Sequence, residues 1–440
     1  MSSEWNIVKI TSLCDGIFDG PHATPKKISN GPVFLGISSL KNGQLDLSSL
    51  EYLSEDDFAK WTKRVVPKEG DIVFSYETRL GEAAIIPYGL RCCLGRRMAL
   101  MRINRTKAIP DYVLYAYLSP EFQKIIRERT IHGSTVDRIP LTEFGSFPIS
   151  IPPLHIQEEI VGILKILDDR INLLRETNTT LESIAQAIFK SWFVDLDPVR
   201  AKQEGRDPEG IDAETAALFP DRFEESESEL GLIPNGWKIC KVYDLAQYIN
   251  GASYRAFEPN LERRGLPIIK IAELKGGITP QTGFSDINMP LKYKINAKDI
   301  LFSWSGNPDT SIDTFIWNHD EAWLNQHIFR VVPFADKERS FVILALKYLK
   351  PIFAEIARNK QTTGLGRVTI SDLKRLQIVK PSDLVLERWS ELVDPLIEQD
   401  FIVSQRSQTL AEIRDTLLPR LISGQLRLPE AEDIVEDAIA

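Results

Sequence analysis

Two stretches of the chain place apolar residues on a heptad period. In the first, Ile160, Leu167, Leu174, Leu181 and Ile188 recur every seven residues, beside a companion ladder of Leu164, Ile171, Asn178, Ala185 and Trp192. In the second, Trp389, Leu396, Val403, Leu410 and Leu417 form one ladder, and Val393, Asp400, Ser407, Arg414 and Leu421 the other. An apolar seam of this period lets two helices wind about each other. It predicts spacer helices over 153–200 and 382–427, the second delayed or bent at Pro395, where a helix donor is missing. Centred on Leu174 and Val403, an antiparallel pair sets Asn178 level with Asp400, so that each seam's polar residue answers the other's. The alternative is two amphipathic helices, each packed on its own domain.

The remaining pattern is short β-branched and aromatic runs bounded by Gly, Pro and Asn, which predicts two mostly-β globular blocks, 1–152 and 235–381. A few helices are expected in each, one of them Asp111 to Glu128 with its counterpart Phe341 to Arg358. The blocks restate one another. Asp71-Ile72-Val73-Phe74-Ser75 is echoed by Asp299-Ile300-Leu301-Phe302-Ser303, and from Arg138 and Arg367 onward the register holds without a gap. The expected architecture is therefore α+β: two repeated blocks joined by an antiparallel coiled coil about a pseudo-twofold axis. Residues 201–234 predict an acidic connector with a short helix near Ala213 to Leu218, and 428–440 an acidic tail.

The net charge of −9 hides a division of sign. Block 1–152 carries +2 and block 235–381 +7, whereas 201–234 carries −7 and 382–440 −8. Local field decides whether a polyanion docks, so the blocks remain candidates for nucleic acid. Cys14, Cys92, Cys93 and Cys240 form no C-x-x-C pair and predict reduced thiols in a cytoplasmic protein with no metal site. No apolar run approaches membrane-spanning length.

The order of block, helix, block, helix resembles the type I restriction-modification specificity subunits. Ile151-Pro152-Pro153-Leu154-His155-Ile156-Gln157-Glu158-Glu159-Ile160 is similar to that family's entry into its central helix. Trp192-Phe193-Val194-Asp195-Leu196-Asp197-Pro198-Val199-Arg200-Ala201-Lys202 resembles the exit. The second repeat departs from it, entering through Lys380-Pro381-Ser382 with neither double proline nor Gln-Glu. The resemblance implies a DNA-binding subunit without catalytic residues, reading a bipartite gapped site in double-stranded DNA. It implies methyltransferase and motor-nuclease partners, which would carry S-adenosylmethionine, ATP and Mg. Rival readings are a fused restriction-methylation enzyme and a free-standing bipartite regulator. Against the first, the chain has no G-x-x-x-x-G-K-[ST] loop and no Asn-Pro-Pro-Tyr, and Asn307-Pro308-Asp309 reads as a turn.

Base readers use Arg, Asn and Gln, and phosphate contacts use Lys and Arg. Turn-flanked candidates are Arg79, Arg96, Arg97, His132, Ser134 and Arg138 in the first block. In the second they are Arg255, Arg263, Lys292, Asn307, Gln326, Lys360, Gln361 and Arg367. Of the large apolar groups at the helix ends, Ile188 and Leu417 are expected in the seam, and Phe193 and Ile422 on a partner surface.

Overall fold

The computed structural model describes residues 5–48, 50–133, 136–361 and 364–439. Two compact units are present, one of Met1–Asn172 with Gln408–Ala440 and the other of Leu173–Ser407.

The first unit is built on a four-stranded antiparallel sheet in the order Cys14–Asp19, Met98–Ile103, Ile72–Ser75, Ala83–Ile85. Ile72, Val73 and Phe74 are all fully buried, the continuous apolar run of a strand covered on both faces. Phe74 stacks on Phe144 at 4.6 Å and lies 5.9 Å from Tyr117. A smaller sheet runs Val33 parallel to Cys92. Asn6–Lys9 pairs antiparallel with Pro148–Ile151, so the start of the block is hydrogen-bonded to its end.

The second unit repeats this plan. Its sheet runs Ala246–Asn250, Ile328–Pro333, Ile300–Ser303, Asp313–Ile316, all antiparallel. Ile268 runs parallel to Trp323, as Val33 does to Cys92. Lys238–Lys241 closes on Gln377–Lys380. Register matches as well as order: Met98 faces Ser75 in one unit, and Ile328 faces Ser303 in the other.

Where one continuous helix was expected over 111–128 and over 341–358, each stretch is split into two, Pro110–Leu118 with Pro120–Arg129, and Arg339–Tyr348 with Lys350–Asn359. Pro120 and Pro351 explain the break, since proline fits a first helical turn but not an interior. Ser119 caps the second helix of the first pair by accepting from the Phe122 N–H.

The two long helices span Leu154–Phe189 and Asp383–Ile422. The second is neither delayed nor ended by Pro395, which lies well inside it. The first widens into a π-helical stretch, Lys190–Asp195, and turns at Leu196 (φ 58°) into the short helix Asp197–Gln203. The acidic connector is more ordered than its composition suggested. It holds the expected short helix, Ala213–Ala217, and a hairpin of Phe223–Glu225 with Leu232–Pro234. Phe219 anchors it, 2% exposed and 5.1 Å from Trp192. The acidic C-terminal segment is likewise a helix, Leu428–Ile439, with Ala431 and Val435 buried.

Candidate nucleic-acid interface

In the first unit, the central strand leaves the sheet at buried Ser75, whose hydroxyl donates to the Glu77 carbonyl at 2.8 Å. The following residues meet two other segments. The Tyr76 N–H donates to the Arg97 carbonyl at 3.1 Å, and the Tyr76 carbonyl accepts from the Ile139 N–H at 2.8 Å. Glu77 forms an isolated antiparallel bridge with Arg138, and the Thr78 N–H donates to the Asp137 carbonyl at 3.2 Å. Arg79, Arg96–Arg97 and Arg138, scattered in sequence, thus gather at one end of the sheet. Arg97 is held there by Thr78 Oγ1 at 3.1 Å and Glu77 Oε2 at 3.3 Å, whereas Arg96 and Arg138 are exposed. Arg79 is also engaged, with Glu82 at 3.1 Å and the Ile37 carbonyl at 3.2 Å. His132 Nδ1 lies 3.0 Å from Asp137, and Ser134 falls outside the described residues.

The second unit builds the same frame from different side chains. The Trp304 N–H donates to the His327 carbonyl at 3.3 Å, and the Trp304 carbonyl accepts from the Val368 N–H at 2.8 Å. Ser305 pairs antiparallel with Arg367, and Gly306 with Gly366. Gly306 sits at φ 123°, and a Cβ on Gly366 would fall 2.2 Å from the Ala357 carbonyl, so glycine is what lets these backbones meet. Gln326, Asn307 and exposed Arg367 are brought together here. Asn307 Oδ1 accepts from the Asp309 and Thr310 N–H groups at 3.0 and 3.2 Å, confirming the expected turn.

The remaining candidates lie elsewhere in the block. Lys360 is committed to Asp372, reaching both carboxylate oxygens at 2.6 Å. Arg263 and Lys292 lie over Phe284 and Tyr293 at 4.8 and 4.9 Å, Arg255 is exposed on a short 3-10 turn, and the Gln361 amide donates to the Gly364 carbonyl. The sequence reading missed Tyr76, Glu77, Thr78, Trp304 and Ser305. Extending the Ser75/Ser303 repeat two residues further would have found Glu77 and Ser305.

On the long helices, Ile160, Leu164, Leu167, Ile171, Leu174, Val403, Leu410 and Leu417 are buried, and Leu181, Ile188 and Leu396 are half-buried. Within the second unit the helices are antiparallel, with Asn178 meeting Ser404 and Phe189 meeting Trp389. Phe189 meets Trp389 within one residue of the expected register, whereas the polar pairing differs. Asn178 Nδ2 donates to Ser404 Oγ at 2.7 Å, four residues or roughly one turn beyond Asp400. Asp400 instead sits near Lys347 and Glu182, which pair with each other at 2.5 Å. Burial pushes the Asp400 carboxyl up to about 6, against the pull of Lys347. In the first unit Arg414 reaches Asp168 at 2.8 Å, and the Tyr115 hydroxyl donates to the same carboxylate at 2.7 Å. Phe193 and Ile422 correct the partner-surface expectation: at 5% and 3% exposed they are interior. Phe193 packs on Trp389 at 4.8 Å and Phe341 at 5.1 Å.

Glu273, in nuclease-like spacing with Lys275, is buried and accepts from the Lys270 N–H at 3.0 Å, a helix cap. Burial pushes the Cys92 and Cys93 thiols up to about 12, which leaves them unreactive. Among the described residues no cluster suits a metal ion, and no helix is long and apolar enough to cross a membrane.

Residues 2–183 and 234–410 match the type I restriction modification DNA specificity domain, twice over. The chain is 27% identical to the type I restriction enzyme HindI specificity subunit of Haemophilus influenzae over 82% of this chain and 87% of that one. It is 24% identical to the MjaIX specificity subunit of Methanocaldococcus jannaschii over 88% and 86%. The crystal structure of the type I S subunit from M. genitalium shares the fold, with a TM-score of 0.54 and 16% identity over 96% and 97%. Two copies of one domain, each ending in a long heptad helix, and relatives spanning most of their own lengths lead to one assignment: this chain belongs to the type I restriction-modification specificity subunits.

Proposed function

We propose that the chain reads a bipartite, gapped sequence in double-stranded DNA, one half through each of the blocks 1–152 and 235–381. The observation that carries this reading is the exposed arginine, Arg138 or Arg367, set by the same strand pairing beside the end of the same central strand. An exposed guanidinium on a fixed backbone suits a DNA phosphate, and neighbouring polar side chains suit base edges. Arg79, Arg96, Arg97, Asn307 and Gln326 belong to these two surfaces. The helical segments 153–200 and 382–427 form the spacer, whose length sets the unspecified gap. Their outer faces hold methyltransferase subunits, and motor-nuclease subunits join that complex. S-adenosylmethionine, ATP and Mg act on those partners, in the cytoplasm.

The reading is tested by Arg138→Ala and Arg367→Ala in the assembled complex. Each is expected to weaken binding to the recognised duplex and reduce the slope of log affinity against log salt by about one. Affinity and slope unchanged in both variants would overturn it.

A further inference from the structure

In both units the residue pair before the strand Met98–Ile103 or Ile328–Pro333 occupies one backbone frame, but the side chains differ. Arg96–Arg97 stands in the first unit where Gln326–His327 stands in the second. The equivalence is fixed by hydrogen bonds. Tyr76 N–H to Arg97 O corresponds to Trp304 N–H to His327 O, and Gly95 N–H to Leu35 O corresponds to Asn325 N–H to Ile269 O. Beneath the pair the interiors agree, since Phe74 and Ser75 match Phe302 and Ser303, all fully buried. Beside it the arginine agrees too, Arg138 matching Arg367.

We propose that this pair selects the bases, with Arg96 reading guanine in one half-site and Gln326 reading adenine in the other. The inference rests on the DNA-reading role of this surface. What both units share can position DNA but cannot distinguish two half-sequences, so discrimination falls to what differs. In each pair the second residue holds the frame. Arg97 is tied to Glu77 and Thr78, leaving Arg96 exposed beside it. An arginine fork matches guanine O6 and N7. His327 lies against Trp304, ring centroids 5.7 Å apart, with its Nε2 3.2 Å from Gln326 Nε2. With the ring proton on Nδ1, which is buried without a partner, His327 accepts one amide hydrogen of Gln326. The second amide hydrogen and Oε1 are then left as a donor and an acceptor, the pattern that fits adenine N7 and N6.

The test uses the full chain assembled with its methyltransferase subunits, carrying Arg96→Gln, Gln326→Arg or Arg96→Lys. Base preference is read from the methylated motif in cells and from duplexes selected out of a randomised pool, so lost methylation still reports the bases bound. R96Q is expected to replace a guanine preference by adenine at one position of one half-site, a change on the order of tenfold to a hundredfold. Q326R is expected to do the reverse in the other half-site, while R96K keeps guanine with weaker discrimination. An unchanged motif in both R96Q and Q326R overturns the assignment. If binding still falls in Arg138→Ala and Arg367→Ala, only the base assignment has failed. If it does not fall, the DNA-reading role has failed with it.

Discussion

A basic side chain in a turn says little until its partner is known, and Lys360 and Arg367 show why. Both flank the same glycine-rich segment, yet Lys360 is held by Asp372, whose side chain is 4% exposed, while Arg367 is left exposed beside Ser305. Burial alone would push the Asp372 carboxyl up. Hydrogen bonds from Lys360 and Thr369 outweigh it and hold the group below the usual carboxylate range. A depressed folded-state value means the stabilisation is complete above the unfolded carboxylate value of about 3.9 and is lost as pH falls through the folded one. Lys360→Ala should therefore lower stability at pH 7 by roughly 1–3 kcal/mol, because it takes the lysine from a buried carboxylate and leaves it only the Thr369 donors and the more distant Arg375. The deficit should shrink towards pH 3, as thermal unfolding at both pH values would show. Asp400 has the opposite sign. Raised to about 6 by burial, it favours folding while protonated and costs stability as pH rises through that value. Asp400→Asn should raise stability at pH 8 by on the order of 1 kcal/mol and change little at pH 3, below the unfolded carboxylate value of about 3.9. A gain of equal size at both pH values would show that ionisation of Asp400 is not the cause.

At the scale of the element, the sequence reading went furthest on the helices and failed at the polar pair within the seam. The heptad ladders marked the seam because burial on one face leaves a period that survives without knowledge of the partner. Register lacks that signal: a seam slipped by one turn still meets apolar groups with apolar groups, so only polar residues discriminate. The pairing of Asn178 with Asp400 assumed that both answered within the seam. Asp400 instead lies near Lys347 of Arg339–Tyr348, a helix of the globular block, and Ser404 takes the Asn178 amide. Partners contributed by a third element cannot be read from two ladders. Asn178 Oδ1 remains buried without a partner, so this contact is not optimised for stability. Ser404→Ala alone should destabilise by roughly 1–3 kcal/mol, since it strands the Asn178 amide as well. Asn178→Leu with Ser404→Ala should recover that loss, because two apolar groups need no partner. Denaturant unfolding of the three chains separates these outcomes, and a double variant no better than Ser404→Ala would argue against the pairing.

On the scale of the whole molecule, internal repetition was the most legible property. Matching segments such as Asp71 to Ser75 and Asp299 to Ser303 are the central strands of matching sheets, where full burial restricts which residues are tolerated. The loop arginines could be marked by residue type but not grouped, because exposed positions carry no such restriction and the arginine frames exist only once strands distant in sequence meet. Repetition extends to how each block joins the rest of the chain. Asn6 pairs with Ile151 and Lys238 with Lys380, so each block enters and leaves through adjacent antiparallel strands. A graft therefore has to reproduce a two-strand collar and the face that packs on the long helices, Phe341 against Phe189 and Phe193, while the remaining sheet and loops can be replaced together. Exchanging residues 235–381 for the matching block of a relative should give a folded chain. The complex it forms should methylate a hybrid motif, with one half taken from the donor and the other half and the gap unchanged. Methylation sequencing of host DNA reads all three at once. A donor block that altered both half-sequences would show that the two readers do not act independently, and an altered gap would place a determinant of spacing inside the block.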